Sequence, residues 1–472
     1  MDTARKEDRT ASRAVADLAA HKDEWVALSI PQRLWFLDRI RHRTDFAAGR
    51  WVEATSLAKG FNPETGMAAE EWLSGPYGVL AMVGALGMSL ARIQKGLTTY
   101  KPSWVSALAD GRAVVRVMPV EWWEPLLLSG YRLDVRMQEG ITPSNLDQHT
   151  ATFYRTRPVA GSVCAVLGAG NISSIPALDL LYKLYAEGQV VAVKLNPVND
   201  YIGAIFEEIF VDLIERGFVR ILYGGSEVGA DLIDHDLVDT VHITGSARTH
   251  HEIVFGAGPA GAVRRKVSQP LLGKPITSEL GGVSPFIVVP GHWSEADLRY
   301  QAEHFVTQKL LNGGFNCIAA QVLVSAEGWA HGDRFIKHVH EVLEELPDRP
   351  AYYPGADERR GAVASLAATT TVGTSPCTHL LDLDPNQSHP AFESEFFSAA
   401  FASTRLPHTD PGEFLDAAVN FANERLDGTL GAVVIAHPRT IAELGQRFFD
   451  AVGRLRYGAV GVNVWTAFNF LQ

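Results

Sequence analysis

The spacing of hydrophobic positions changes twice along the chain. From about residue 10 to 95, apolar side chains recur three and four positions apart, as in "AVADLAAHKDEWVAL" and "PQRLWFLDRIRHRTDF", which predicts helices. Between about residues 113 and 157 the pattern becomes strand-like, with "RAVVRVMPV" as the clearest strand. From Gly161 onwards, short strands rich in β-branched residues alternate with helices, which predicts parallel sheets joined by right-handed crossovers.

This alternation of strands and helices occurs in two stretches. The first runs from "GSVCAVL" to "VDTVHITG" and is followed by a basic segment, "GAVRRKVSQPLLGKP", that we expect to be a solvated loop. The second starts near Ile276 and contains the strand "SPFIVV", the helix "EADLRYQAEHFVTQKLL" and the strand "AAQVLVS". We therefore predict an α/β protein with two doubly wound domains: residues 1–275, with a helical N-terminal region, and residues 276–472.

Composition narrows the classes of partner. The chain has 42 basic and 54 acidic residues, a net charge of −12, which excludes a nucleic acid as the expected partner. The three cysteines are widely separated, so we expect neither a disulfide framework nor a metal site. The N-terminus is charged, and the longest apolar run, Tyr77 to Ala91, is shorter than the roughly 20 residues of a membrane helix. We expect a cytoplasmic protein without membrane insertion.

Two segments carry candidate chemistry. The turn "VLGAGNISSIP" is a poor dinucleotide fingerprint, because Ser173 occupies the third glycine position and the next strand ends in Lys194 instead of an acid. It does place Asn171 at the carboxyl end of a strand, where open α/β sheets bind ligands. The segment "LNGGFNCIAAQVLV" places Cys317 between a turn and a strand, as a nucleophile or as a small buried residue.

Six segments in order resemble motifs of the aldehyde dehydrogenase superfamily. They are "VVAVKLNP", "DLIDHDLVDTVHITGS", "SELGGVSPFIVV", "NGGFNCIAAQVLV", "ESEFFSAAF" and "LRYGAVGVNVW". The resemblance covers about Gly161 to Trp465 and implies a Rossmann-like cofactor domain followed by a catalytic domain. It also implies that residues 113–157 contain oligomerisation strands.

The resemblance implies NAD- or NADP-dependent oxidation of an aldehyde to a carboxylic acid. Cys317 would form a thioester, the Asn171 amide and the Cys317 backbone N–H would hold the oxyanion, and Glu279 would activate water for hydrolysis. From the residues alone, the alternative for Glu279 is a surface or helix-capping acid, but its position before two glycines and a buried strand favours function. Asn171 likewise fits a turn or N-cap residue.

The cofactor site is implied in the same way. Lys194 would donate to the adenosine ribose, Gly245 would allow close approach of a phosphate, and Ser246 would bind it. Glu395 would bind the nicotinamide ribose, and Phe397 would border the nicotinamide. Without the resemblance, Lys194 could extend from a strand end into solvent, and Phe397 could be a core residue.

Several positions depart from the family pattern. Pro197 replaces an acid that would repel a 2′-phosphate, so NAD and NADP both stay open. Glu393 competes with Glu395 for the ribose, and His250 replaces a common glycine and is expected to crowd the pyrophosphate site. Phe315 and Asn316 precede the cysteine and are expected to shape the aldehyde pocket.

Two alternative functions stay open, one enzymatic and one not. One is a CoA-acylating aldehyde dehydrogenase or acyl-CoA reductase, and the other is a catalytically impaired member with a binding or structural role. The sequence ends at "WTAFNFLQ", shortly after Asn463, whereas the family usually continues into a segment that pairs with a neighbouring subunit. A homo-oligomer is therefore an open expectation.

Overall fold

The structure, a computed structural model, describes residues 2–120, 122–156 and 158–471. The ends of the predicted domain ranges, Met1 and Gln472, and the last residue of the predicted oligomerisation segment, Arg157, lie outside the described residues. The N-terminal region is helical, as predicted. Its helices are α1 (Asp2–Ala27), α2 (Ile30–Ala58), α3 (Ala68–Trp72) and α4 (Gly78–Gln94), with a π-helical segment at Leu73–Tyr77.

The stretch Ala68–Gln94 is long and apolar enough to cross a membrane by length and composition, a test that core helices of soluble proteins also pass. Its helical geometry is broken at Gly75, where φ is −116° and ψ is −110°. Helix α4 lies against α2 and buries Val79, Val83 and Leu90. The prediction of no membrane insertion stays a prediction.

A small antiparallel sheet follows, in the order β1 (Val105–Ala107), β2 (Ala113–Met118), β3 (Leu133–Arg136). It contains the strand predicted from "RAVVRVMPV". Two short helices, α5 (Glu124–Leu127) and α6 (Thr152–Thr156), and 3-10 turns at Pro102–Trp104 and Leu146–His149 accompany it. The role of these strands in oligomerisation stays a prediction.

The first parallel sheet has five strands in the order β6-β5-β4-β7-β8. The strands are β4 (Val163–Leu167), β5 (Val190–Lys194), β6 (Val219–Leu222), β7 (Thr240–Gly245) and β8 (Ile276–Leu280). Most side chains of the central strands β4 and β5 are buried, because helices cover both faces of a doubly wound sheet. This sheet confirms the Rossmann-like α/β fold.

The helices around this sheet include those that the sequence pattern predicts, between Ile175 and Asp234, and two that it does not. They are α7 (Ile175–Leu181) with a π-helical end at Tyr182–Ala186, α8 (Gly203–Ile209), α9 (Val211–Glu215), α10 (Ser226–Asp234), α11 (Ala247–Phe255) and α12 (Gly258–Lys266), with a 3-10 segment at Pro197–Ile202. The predicted basic loop is wrong, because α12 occupies much of it. The basic residues Arg264, Arg265 and Lys266 form its last turn, where positive charge interacts favourably with the helix dipole.

The second sheet has seven strands in the order β11-β12-β13-β10-β9-β14-β15, with only the β11–β12 pair antiparallel. The strands are β9 (Ser284–Val288), β10 (Ala320–Ala326), β11 (Thr369–Val372), β12 (Cys377–Leu383), β13 (Ala400–Leu406), β14 (Gly431–Ile435) and β15 (Ala459–Val462). The helices around it are α13 (Glu295–Leu310), α14 (Gly332–Glu345), α15 (Ala356–Ala364), α16 (Pro390–Glu393), α17 (Pro411–Arg425), α18 (Pro438–Leu444) and α19 (Gln446–Val452), with 3-10 turns at Leu311–Gly314 and Thr466–Leu471.

The predicted boundary at Ile276 needs a correction. Strand β8 pairs in parallel with β7 and therefore belongs to the five-stranded sheet, at its edge. The chain reaches the second sheet only at Ser284, after Gly281 and Gly282. Glu279 thus lies on the first sheet, whereas Cys317 precedes a strand of the second.

Candidate active site

One cleft of about 1370 Å³ lies at the carboxyl ends of β4, β5 and β7 and extends to the turn before β10. All eight residues predicted for catalysis or cofactor binding line it: Asn171, Lys194, Gly245, Ser246, Glu279, Cys317, Glu395 and Phe397. The carboxyl edge of a parallel sheet is the usual place for a ligand, because loops there leave backbone groups free. Their shared location is a finding, and their individual roles stay predictions.

Cys317 is the partly exposed cysteine of the chain, whereas Cys164 and Cys377 are buried. Burial, reinforced by the negative charge of Glu395 and to a smaller extent of Glu279, raises the pKa of its thiol to about 12. Hydrogen bonds from the backbone N–H groups of Cys317 and Ile318 act in the opposite direction. The sulfur therefore already faces backbone donors that could hold an anion.

Asn171 is held by contacts with the loop that carries the cysteine. Its amide nitrogen Nδ2 donates to the carbonyl of Phe315 at 3.0 Å. The backbone carbonyl of Asn171 accepts hydrogen bonds from Asn312 Nδ2 at 2.9 Å and from the Tyr352 hydroxyl at 3.0 Å. These bonds bring the turn after β4 to the turn before Cys317.

Asn312 connects this loop to the N-terminal helices. It adopts a left-handed conformation with φ of 57°, which asparagine tolerates better than most residues. Its Oδ1 accepts from Lys59 Nζ at 2.8 Å, and Lys59 also forms a buried ion pair with Glu71 at 2.8 Å. Its backbone N–H donates to Glu70 Oε2 at 2.8 Å. The loop geometry therefore depends on three charged residues, one at the C-terminal end of α2 and two in α3.

Glu279 extends from the edge strand β8 into the cleft, where its side chain is exposed. The surrounding protein and the negative charge of Asp179 raise the pKa of its carboxyl group, whereas His242 lowers it. A carboxylate with a raised pKa is a stronger base than a free one, which suits proton abstraction near neutral pH.

The distal part of the cleft contains Lys194, Gly245 and Ser246. Lys194 is 7% exposed, and its ammonium group forms no hydrogen bond or ion pair among the described residues. Burial lowers the pKa of the Lys194 ammonium group, whereas the negative charges of Asp200 and Glu227 raise it. The Ser246 hydroxyl caps α11 by accepting from Thr249 N at 3.1 Å. His250, expected to crowd this site, is not among the lining residues.

Glu395 lies directly against Gly281, because a Cβ atom built on that glycine would overlap the Glu395 carboxylate. Its Oε1 is buried and has no hydrogen-bond partner among the residues that the structure describes. Burial raises the pKa of Glu395 to about 8, opposed by the charges of Lys309 and Arg359. Lys309 is 1% exposed, and burial lowers its pKa to about 8.

An aromatic cluster next to Glu395 was not predicted. Phe315 stacks on Tyr353 with 5.5 Å between ring centroids, and both contact Phe397 at 5.8 and 5.1 Å. The Arg359 guanidinium lies within 5.6–5.9 Å of all three ring centroids. The Arg359 Nη2 atom is buried, with no hydrogen-bond partner in the described part of the chain. Tyr353 and Arg359 line the cleft, so this cluster forms part of its wall.

The cluster changes the expectation for the two residues before the cysteine. Phe315 is 1% exposed and Asn316 is 8% exposed, and neither lines the cleft. Phe315 therefore supports the wall from behind instead of bordering it. Asn316 accepts the backbone N–H of Ile318 at 3.1 Å and so stabilises the turn at Cys317. Within residues 2–120, 122–156 and 158–471, no group of three His, Cys, Asp or Glu side chains could hold a metal ion.

Comparisons with known proteins agree on the family. The model of the aldehyde dehydrogenase family matches residues 131–372. The chain is 29% identical over 236 residues to N-succinylglutamate 5-semialdehyde dehydrogenase of Novosphingobium aromaticivorans, covering 48% of this chain and 46% of that protein. It is 32% identical over 178 residues to D-glyceraldehyde dehydrogenase (NADP(+)) of Picrophilus torridus, and this match covers 37% of this chain and 32% of that protein. The matched segments span less than half the length of either relative.

The fold is also that of solved structures. A mutant of aldehyde dehydrogenase C from Pseudomonas syringae, complexed with NAD+ and octanal, superposes with a TM-score of 0.65 at 17% identity. The match covers 97% of this chain and 82% of that one. At this identity the superposition supports the fold alone, and the family match rests on the sequence. Together with the six motifs in order, these findings establish that the chain belongs to the aldehyde dehydrogenase family.

Proposed function

We propose that this protein oxidises an aldehyde to a carboxylic acid, with NAD or NADP as hydride acceptor and a thioester on Cys317 as intermediate. The observation that carries the proposal is the arrangement of one partly exposed cysteine, an amide donor and an exposed carboxylate in a single cleft. The dehydrogenase names of the two relatives support the same reaction class. We place the reaction in the cytoplasm, as the composition predicts.

The first half of the reaction forms the bond to sulfur. The Cys317 thiol proton passes to water in the open cleft, and the sulfur attacks the aldehyde carbon. The carbonyl electron pair moves to oxygen, where the second N–H of the Asn171 amide and the Cys317 backbone N–H donate to the oxyanion. When bound, NAD or NADP would accept the hydride that leaves this carbon, while the oxyanion electron pair would return to form the C=O bond of the thioester.

The second half releases the acid. A water oxygen bonds to the acyl carbon, the carbon–sulfur bond breaks with its electron pair on Cys317, and the water proton goes to Glu279. The products are the carboxylic acid, the Cys317 thiolate and protonated Glu279. The raised pKa of Glu279 supports this role, because the group then binds the proton more readily.

The lining of the cleft fits a dinucleotide. The unpartnered Oε1 of Glu395 is a buried acceptor for a ribose hydroxyl, and the N-terminus of α11 at Ser246 offers N–H groups to a phosphate. Lys194 has an ammonium group free to donate to the second ribose or to a 2′-phosphate. These residues accommodate either NAD or NADP.

The test is to mix the protein with NAD or NADP and a panel of aldehydes, with and without CoA, and to follow the reduced cofactor. We expect turnover without CoA, and none in Cys317→Ala. Cys377→Ala, at a buried cysteine outside the cleft, is the matched control and should keep turnover. Glu279→Gln should give one burst of reduced cofactor and then stall.

Other outcomes select the alternatives. A strict requirement for CoA would favour the CoA-acylating reaction. Retained activity in Cys317→Ala would refute the thioester mechanism. A folded protein that turns over no aldehyde with either cofactor would support a binding or structural role.

A further inference from the structure

A row of polar side chains lies on one face of strands β7 and β8, behind Glu279. The strands pair in parallel, with His242 opposite Thr277 and Thr244 opposite Glu279. Side chains two residues apart on a strand share a face, and direct neighbours on adjacent strands share it too. All four side chains therefore lie on the face of the sheet that α7 covers with Asp179.

Asp179 contacts two members of this row. Its Oδ2 accepts the Thr244 hydroxyl at 2.8 Å, and its Oδ1 lies 3.4 Å from His242 Nε2. His242 is 7% exposed, so its ring is almost enclosed by protein. The other ring nitrogen, Nδ1, lies 2.8 Å from the Thr277 hydroxyl oxygen. The imidazole is thus fixed between a carboxylate and a hydroxyl group, on the strand next to Glu279.

The neighbours of His242 define its hydrogen-bond directions. Lys183 Nζ donates to the Thr277 oxygen at 2.9 Å and to Glu187 Oε1 at 2.7 Å. When His242 is neutral, its Nε2–H faces Asp179, and Nδ1 accepts the Thr277 hydroxyl proton. When His242 is protonated, Nδ1–H donates to Thr277, and the hydroxyl proton must turn elsewhere. The network accommodates both charge states without an unpaired nitrogen.

We propose that His242 is a positioning residue that favours the ionised form of Glu279, against the opposing charge of Asp179, and so sets the pH range in which water is activated for deacylation. The inference rests on the proposed function of Glu279. Only ionised Glu279 can accept the water proton, so His242, in its protonated form on the adjacent strand, extends deacylation to lower pH.

The charged groups around the pair are few. Asp179 faces it from α7, Lys183 and Glu187 from the following segment, and the Cys317 thiol faces Glu279 across the cleft. On β4, burial raises the pKa of the Cys164 thiol to about 12, so this group stays uncharged. Burial and Asp179 raise the pKa of Glu279, whereas His242 lowers it. These directions agree with the proposed effects of the two residues on Glu279.

The experiment compares His242→Gln and Asp179→Asn with the unmodified protein. Single-turnover deacylation is followed as a function of pH, together with the preceding burst of reduced cofactor. We expect the acid midpoint of deacylation to move up by about one pH unit in His242→Gln and down in Asp179→Asn, with unchanged burst rates. His292→Gln, which removes an exposed histidine paired with Glu443, should leave the midpoint in place.

A second measurement does not depend on turnover. The titration of Glu279 is followed by carbon-13 NMR of labelled glutamate side chains, with Glu279→Gln to assign the signal. Opposite shifts in the two variants support the inference even if no aldehyde is oxidised, an outcome that would refute only the proposed function. Normal turnover with an unchanged acid midpoint of deacylation in both variants would overturn the inference but not the proposed function. Shifts of the same sign in both variants would do the same.

Discussion

The side-chain amide of Asn171 donates a hydrogen bond to the backbone carbonyl of Phe315, with 3.0 Å between Nδ2 and O. This bond joins the turn after the first strand of one sheet to the turn before Cys317. It uses one of the two N–H groups of the amide and orients the other. Asn171 is thus a structural contact and a candidate oxyanion donor at once, and the two roles can be separated.

Replacing Asn171 by alanine should lower the burst rate of reduced cofactor by about 10²–10³, the usual effect of losing one oxyanion donor. Loss of the bond to Phe315 should also lower the free energy of unfolding by about 1 kcal/mol. Rapid-mixing kinetics and denaturant unfolding measure the two effects. Asn423→Ala removes a similar side-chain bond, to the Arg454 carbonyl at 2.8 Å, outside the cleft, and should leave the burst rate unchanged. Equal burst rates in Asn171→Ala and the unmodified protein would contradict the oxyanion role.

Replacing Lys59 by methionine should destabilise the protein by about 3–5 kcal/mol, because Glu71 would remain as an unpaired buried charge. The double change Lys59→Met with Glu71→Leu should recover much of this loss. Denaturant unfolding measures both. Arg50→Met breaks an exposed pair with Glu208 and should cost less than about 1 kcal/mol. A similar small cost for Lys59→Met would show that the buried pair does not stabilise the fold.

The pKa of Glu395, raised from 4.5 to about 8, makes a prediction for stability against pH. Between these values the unfolded carboxyl group is ionised and the folded one is protonated, so stability falls as pH rises through this range. Glu395→Gln should therefore be more stable than the unmodified protein at pH 8, and the difference should disappear near pH 4.5. Thermal unfolding across this range measures it. Glu393→Gln, at the exposed glutamate two residues earlier, should show no such pH-dependent gain.

The pKa of about 12 for Cys317 predicts slow alkylation by iodoacetamide without cofactor. The rate should rise about tenfold per pH unit from pH 7 to 9, because only the thiolate reacts. Above about pH 8, where Glu395 is ionised, Glu395→Gln should accelerate the reaction, since it removes a negative charge near the sulfur. Mass spectrometry of the peptide around Cys317 measures the rate, with Cys317→Ser as the blank. Rapid alkylation at pH 7 would contradict the raised pKa.

The alternation of strands and helices predicted both large sheets, because buried parallel strands leave a strong local signal in β-branched residues. Strand β8 was placed in the wrong sheet, since "ITSEL" lies at an exposed edge and its partner strand is more than thirty residues earlier. Helix α12 was predicted as a loop because its glycines and basic residues hide a weak apolar pattern.

The residues of the candidate site were likewise predicted where the local sequence carries a motif and missed where it does not. Residues within motifs were predicted and line one cleft. Lys309, Tyr353 and Arg359 were missed, because each lies in a segment whose local pattern is that of an ordinary helix or turn. Their position near Glu395 depends on the pairing of strands that are far apart in the sequence. A local sequence pattern does not reveal such pairing.

The contacts between the N-terminal helices and the cysteine loop have a consequence for protein engineering. All eight predicted site residues lie beyond Gly161, so a shortened chain starting there would contain every proposed reactive group. It would lack Lys59 and Glu70, which bind Asn312, and Asp23, whose Oδ1 accepts the Gly161 N–H at 2.7 Å. The reactive centre is therefore not a portable unit, and any transplant or split version has to carry the N-terminal helices along as its scaffold.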